Sequence, residues 1–203
     1  LKALCDIAAD FGALVVVDEA HATGIYGANG SGRVEELGLE NNVLCTMHTG
    51  GKALGVGGAW IASDSALIEH LINHARSFVY STAPIPALVM GLRAAVQKRM
   101  SDQHSAPRLL EMAANFRNTL EQAGLNILKS ESQIIPVVLG SNETVLAVAS
   151  SLQEDGFDIR AIRLPTVPPE TGRLRITLRS TFDPSDIERL AERIQFHVRK
   201  LNA

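Results

Sequence analysis

Val15-Val16-Val17-Asp18-Glu19-Ala20-His21-Ala22-Thr23-Gly24 is the stretch that decides the fold. Its β-branched run, with Ala13 and Leu14 before it, reads as a short strand buried on both faces of a parallel sheet. The strand ends on Asp18, which puts a carboxylate at the carboxyl edge of the sheet, where open α/β folds bind ligands. His21 follows in the same turn. Alone, this pair is equally well a capping Asp and a surface His. Upstream, Leu1, Leu4, Ala8 and Phe11 recur at helical spacing and Gly12 stops the run. Downstream, residues 43–48 and 58–63 read as two further buried strands, separated by glycine-rich loops. Helix, strand, loop, strand is the rhythm of an α/β domain.

Ser63-Asp64 caps a predicted helix over 65–76, and Pro84 and Pro86 introduce another that runs to 100. The polar stretch 101–105, followed by Pro107, sets a domain boundary, giving a first domain over 1–100 and a second over 101–203. The second holds a helix ending at Gly124, a strand over 134–139, a helix over 142–155 stopped by Gly156, and a strand over 158–162. Arg173-Leu174-Arg175-Ile176-Thr177 alternates with period two, as in a strand with one wet face. Asp183 and Pro184 open a last helix. This half reads as a small α+β domain.

The chain has 203 residues, 46% of them hydrophobic, which is enough to bury a core, and a formal charge of −3 that offers no basic footprint for nucleic acid. Cys5 and Cys45 form no metal or redox motif and fit buried thiols in a reducing compartment. No run reaches the roughly 18–20 apolar residues of a membrane span, and no leader pattern opens the sequence. A cytoplasmic protein without membrane or nucleic-acid partners is expected. The chain opens on Leu1 inside an amphipathic pattern, so a piece of a longer protein, inactive alone, is also expected.

A second segment, His48-Thr49-Gly50-Gly51-Lys52-Ala53-Leu54-Gly55, sets a lysine among small residues directly after a strand. That setting would draw the ammonium into a cleft and suit it to Schiff-base chemistry, while the glycines would let a flat cofactor approach the backbone. A tight loop between strands is the plainer reading of the same letters. A strand ending Asp-Glu-Ala-His also suggests a DEAH-type nucleic-acid ATPase. That enzyme needs Gly-Lys-Ser/Thr ahead of the acidic strand, whereas Gly51-Lys52-Ala53 lacks the hydroxyl and follows it. His70 and His74 stand four apart on a helix without a third ligand, so no metal is expected there; Trp60 reads as core, and His104 and His197 as surface.

Taken in order, the runs resemble the α-oxoamine synthases among fold-type I pyridoxal-phosphate (PLP) enzymes, and within them the 8-amino-7-oxononanoate synthases of biotin biosynthesis. The resemblance rests on residues 18–24, residues 49–55, Tyr80-Ser81-Thr82, Leu164-Pro165-Thr166-Val167-Pro168, and residues 173–178. Gly50, where an aromatic is usual, and Leu164, where a Pro is usual, depart from the pattern. The resemblance implies the C-terminal part of such a transferase: a mostly parallel, incomplete sheet of the large domain, then a small α+β domain. It implies PLP as cofactor, with Asp18 on the pyridine nitrogen, His21 on the phenolic oxygen, Thr49 on the phosphate, and Lys52 as the Schiff-base lysine that also moves the α-proton. Ser81 and Thr82 resemble a pair reaching the phosphate of a neighbouring subunit, hence a homodimer with shared sites. Arg175 resembles the carboxylate clamp, with Thr166 and Arg163 on the substrate side. The implied reaction joins L-alanine to a pimeloyl thioester, releasing CO₂ and CoA or a carrier protein. Sibling enzymes (glycine C-acetyltransferase, 5-aminolevulinate synthase, serine palmitoyltransferase) stay open. So does a non-catalytic partner subunit, although such partners typically lose the lysine.

Overall fold

A computed structural model describes residues 1–201. The chain forms two compact units that divide between Ala106 and Pro107. In the first, α1 (Lys2–Asp10) leads into β1 (Val16–Asp18), the short α2 (Arg33–Glu36), β2 (Cys45–Thr49) and β3 (Ala59–Ala62). There follow α3 (Ser65–His74), α4 (Arg76–Val79) and α5 (Pro86–Ser101). Asp64 caps α3 by accepting from the Leu67 amide at 2.8 Å, as the sequence suggests. Strand order is β1-β2-β3: β1 runs parallel to β2, with Asp18 opposite Met47, and β3 pairs antiparallel to β2.

The strand expected to be buried on both faces is not. β1 is an edge strand of three residues, Val16 is 60% exposed and Leu14 75%. Only one side is packed: Val15, Val17 and Val43 lie against a cluster of Cys5, Val34 and Leu39. Trp60, read as core, is half-buried and lies stacked on His48, with ring centroids 5.2 Å apart.

The second unit carries the larger core. Its elements are α6 (Ser105–Gln122), which begins two residues before the division, β4 (Ile134–Gly140), α7 (Asn142–Glu154), β5 (Arg160–Ile162), β6 (Gly172–Thr177) and α8 (Pro184–Leu201). Pro107 sits inside the first turn of α6 rather than ahead of it; first-turn amides have no intrahelical acceptor, so its missing N–H costs nothing there. The sheet is antiparallel in the order β4-β6-β5. Leu120, Ile135, Val137, Val145, Val148, Leu152, Leu174, Ile176 and Ile194 are almost completely buried. β6 alternates as expected, with Leu174 and Ile176 inward and Arg175 and Thr177 exposed.

The most deeply buried large side chain among the described residues of the first unit is charged: Glu19, 2% exposed. Its carboxylate accepts from the Arg33 amide at 3.1 Å and the Val34 amide at 2.7 Å, satisfying the first turn of α2 from outside the helix. Gly32 makes room for it: φ is +125°, and a Cβ there would stand 2.6 Å from the carboxyl carbon of Glu19. In the second unit Asp155, after α7, takes a bidentate grip from Arg193 on α8 (2.7 and 2.9 Å) and pairs with His197 at 2.6 Å. His197 is therefore a structural partner and not the uninvolved surface residue the sequence suggests.

Two outcomes follow from these ties. Replacing Glu19 with Gln sets an NH₂ against two backbone donors; denaturant unfolding should show a loss of about 1.5–3 kcal/mol, the scale of charge-assisted hydrogen bonds. The hydrogen bonds from Arg193, and next from His197, hold the Asp155 carboxyl well below its ordinary value, at about 2. A carboxylate whose folded-state pKa is depressed stabilises the fold above its unfolded value and loses that contribution as pH falls towards the folded one. Hydrogen exchange in α8 should accordingly speed up between about pH 4 and pH 2, and Asp155→Asn should abolish that dependence.

Candidate functional site

Parallel pairing brings the ends of β1 and β2 to the same sheet edge. Asp18 closes β1 with an exposed carboxylate whose Oδ1 accepts the Ala20 amide at 2.8 Å, so the Asp does cap its own turn. That turn continues through His21, also exposed, to Thr23, with the Glu19 carbonyl accepting the Ala22 and Thr23 amides. Thr49 closes β2, and its Oγ1 is buried without a hydrogen-bond partner among the described residues. Such an orphaned hydroxyl costs free energy unless something arrives to bond it.

Lys52 lies in the loop that follows. The loop is closed at its base by the Gly50 amide on the Gly58 carbonyl (2.9 Å) and the Val56 amide on the Gly50 carbonyl (3.0 Å). Lys52 itself is exposed, so the expectation of an ammonium drawn into a cleft is not met by the described residues. The physical reason is that its neighbours Gly51, Ala53 and Gly55, also exposed, carry too little side chain to enclose it. The structure also gives a local reason for Gly50 in place of an aromatic: a Cβ would meet the Val56 carbonyl oxygen at 2.4 Å. The two motifs touch at Gly24 and Ala53, where φ of Gly24 is +81° and an added Cβ would stand 2.8 Å from the Ala53 Cβ. Asp18, Thr49 and the loop of Lys52 are thus brought to one edge. Ser81 and Thr82 lie on an exposed segment after α4, where the Ser81 hydroxyl donates to the Phe78 carbonyl at 3.0 Å.

In the second unit Arg175 and Thr166 line a hollow of about 490 Å³ together with Lys129, Ser130, Ser132 and Arg173. Arg175 stands on the wet face of β6, opposite Pro136 of β4 and Arg160 of β5. Arg163 is exposed and does not line the hollow; its carbonyl accepts the Thr166 amide at 2.9 Å in the turn that includes the cis Leu164–Pro165 bond.

Sequence reasoning missed two polar residues beside the motifs. Glu19 is one; the other is His48, 6% exposed, whose ring nitrogens contact the hydroxyls of Thr23 (2.9 Å) and Thr46 (2.8 Å). Burial pushes the His48 imidazole below its ordinary pKa, against the opposing pull of the Glu19 and Asp18 carboxylates. The available signal was the polar pair Thr46 and His48 at strand spacing, inward on a strand that otherwise reads as apolar. The rings of His70 and His74 stack with centroids 4.4 Å apart, and no group of three potential metal ligands occurs among the described residues. Nor is any helix there long and apolar enough to cross a membrane.

The chain is similar to known proteins along nearly its whole length. It is 42% identical over 191 residues to an 8-amino-7-oxononanoate synthase of Geobacter sulfurreducens, covering 93% of this chain and 49% of that one. A serine palmitoyltransferase from S. paucimobilis, solved with bound PLP and myriocin, superposes with a TM-score of 0.92 at 25% identity, covering 100% of this chain and 51% of that one. An 8-amino-7-oxononanoate synthase from Francisella tularensis superposes with a TM-score of 0.87 at 25% identity, covering 98% and 59%. The chain thus spans about half the length of the curated relatives it matches. The fold is that of the matching part of these transferases, and the Asp-Glu-Ala-His run is not favoured as an ATPase motif. The model of the aminotransferase class I and II family matches residues 1–194, and the chain belongs to that family.

Proposed function

We propose that this chain is the lysine-bearing part of a PLP-dependent α-oxoamine synthase that condenses L-alanine with a pimeloyl thioester. The products would be 8-amino-7-oxononanoate, CO₂, and CoA or a carrier protein. The observation that carries the reading is the edge geometry: a strand-ending carboxylate, an unpartnered buried threonine hydroxyl and a lysine in a glycine loop, at the carboxyl ends of adjacent strands. These donors and acceptors suit a flat, phosphorylated pyridine, so the residues present fit PLP. The identity to 8-amino-7-oxononanoate synthases supports the choice of substrates, and the superposition on serine palmitoyltransferase supports the wider reaction class.

When bound, the cofactor supplies an electron sink for negative charge at the amino acid's α-carbon. Asp18 would hold a proton on the pyridine nitrogen, and His21 would hydrogen-bond the phenolic oxygen. Thr49 would donate its orphaned hydroxyl to the phosphate, which supplies the missing acceptor. Lys52 would bind the cofactor covalently and afterwards move the α-proton with Nζ. Arg175 would clamp the amino-acid carboxylate with its planar fork, and Thr166 and Arg163 would line the substrate side. Ser81 and Thr82, both exposed, would reach the phosphate of a second copy, making a homodimer with shared sites. A cytoplasmic setting is part of the same reading.

The decisive test is covalent. PLP added to the chain and fixed with borohydride should be found by mass spectrometry on Lys52; a label on Lys98 or Lys129 instead would sink this reading. In the loaded protein, Arg175→Lys should weaken L-alanine binding by about 1.5–3 kcal/mol, because the charge stays but the fork is lost. The visible spectrum of the bound cofactor should stay unchanged, and unaltered alanine affinity would move the clamp to Arg173 or Arg163.

A further inference from the structure

The imidazole of His48 is a buried titratable group beside the proposed site to which the mechanism above gives no task. It stands on β2 directly before Thr49, and its two nitrogens face two hydroxyls. The Thr23 hydroxyl donates to the Glu19 carbonyl at 2.8 Å, which leaves that oxygen to accept from His48. His48 therefore carries its proton on Nδ1 and donates it to Thr23, and Nε2 is left to accept from the Thr46 hydroxyl. The result is a one-way chain of hydrogen bonds: Thr46 to His48, His48 to Thr23, Thr23 to the Glu19 carbonyl. It begins on β2 and ends in the turn that follows Asp18.

The surroundings hold both ends of this chain. Trp60 stacks on the imidazole at an interplanar angle of 11°, fixing the ring plane. The same turn is tied from the other side by Arg99 of α5, whose Nε donates to the Gly24 carbonyl at 2.6 Å. The turn cannot tilt away from β2 without breaking the His48 bond to Thr23, and β2 delivers Thr49 and then Lys52.

We propose that His48 is a positioning residue: with its proton on Nδ1, it locks the turn bearing His21 to the strand that delivers Thr49 and Lys52, and so fixes the spacing of the two halves of the cofactor site. The proposal rests on the PLP reading for its consequence, while the lock itself stands on the hydrogen-bond geometry. Burial of the imidazole supports it, because it disfavours the second proton that would turn Nε2 from acceptor to donor and reverse the Thr46 bond.

The test has two arms. Nitrogen-15 spectra of the imidazoles, with His48 assigned by its absence in His48→Gln, should show a neutral ring protonated on Nδ1; a ring protonated on Nε2 overturns the proposal. The second arm compares Thr23→Val, which keeps the shape and removes the hydroxyl that accepts from His48 and donates to the Glu19 carbonyl, with Thr23→Ser, which keeps the hydroxyl. Thr23→Val should speed amide exchange in residues 20–24 and weaken PLP binding at Lys52 by at least about threefold each, since both bonds are lost. Thr23→Ser should restore both, a rescue that a general loss of packing would not give. Exchange and binding unchanged in Thr23→Val would overturn the lock. If the unaltered chain takes no label on Lys52, the PLP reading fails by itself, and the tautomer and the exchange rates still decide whether His48 is the lock. Should Thr23→Val not fold, the tautomer in the unaltered chain decides the matter.

Discussion

The register of β1 on β2 is the constraint from which the first unit's site derives. Val16 lies opposite Cys45, Val17 opposite Thr46 and Asp18 opposite Met47. Because the pairing is parallel, both strands present their carboxyl ends to the same side, and Asp18 and Thr49 meet there. A slip by one residue would turn Val17 away from the cluster of Cys5, Val34 and Leu39 and reverse the direction of Asp18. The apolar packing is modest, so the register needs further support. It comes from backbone bonds beyond the strands: the Glu19 amide donates to the Met47 carbonyl at 2.8 Å and the Leu44 amide to the Val15 carbonyl at 2.7 Å.

Buried polar groups then do what a larger core does in the second unit. The Glu19 side chain reaches forward to the amides of Arg33 and Val34, while its carbonyl collects the turn at Ala22 and Thr23. A charge taken out of water is tolerable only when hydrogen bonds replace its hydration, and here both carboxylate oxygens are engaged. Such ties are directional, unlike apolar packing. They specify one arrangement of a turn with little apolar surface of its own, which is what a site built on a turn requires.

How much of this was legible depended on whether the signal was local. The helices announced themselves through Asp64, Pro86, Gly156 and Asp183, each acting within a turn of its own position. The alternation of Leu174 and Ile176 with Arg173 and Arg175 fixed which face of β6 is wet. The two motif loops could be read as partners only through their resemblance to a known family, because nothing local joins Gly24 to Ala53. Exposure of β1 was misread for a related reason: Val15-Val16-Val17 states that a strand forms, but burial depends on what covers its faces. Glu19 and the pairing of Asp155 with His197 were missed because their partners lie 14 or more positions away, and His48 because Thr23, the partner that ties it to the turn, lies 25 positions away. In the sequence these side chains look like any other polar residue.

In the proposed reaction the first unit would contribute groups that orient a cofactor, and Asp18, Thr49 and Lys52 need only the shared strand edge to be placed. Orientation is not enough for proton transfer at carbon, which gains from a site that excludes water. Lys52 is exposed, its loop neighbours are glycine and alanine, and no described residue encloses it. For the proposed reaction, enclosure would have to come from beyond this loop. The relatives matched along nearly all of this chain are about twice as long, and in the proposed reaction such added length would supply that enclosure. Small residues around Lys52 suit that proposal: they hold the lysine on a closed loop and leave its surroundings open.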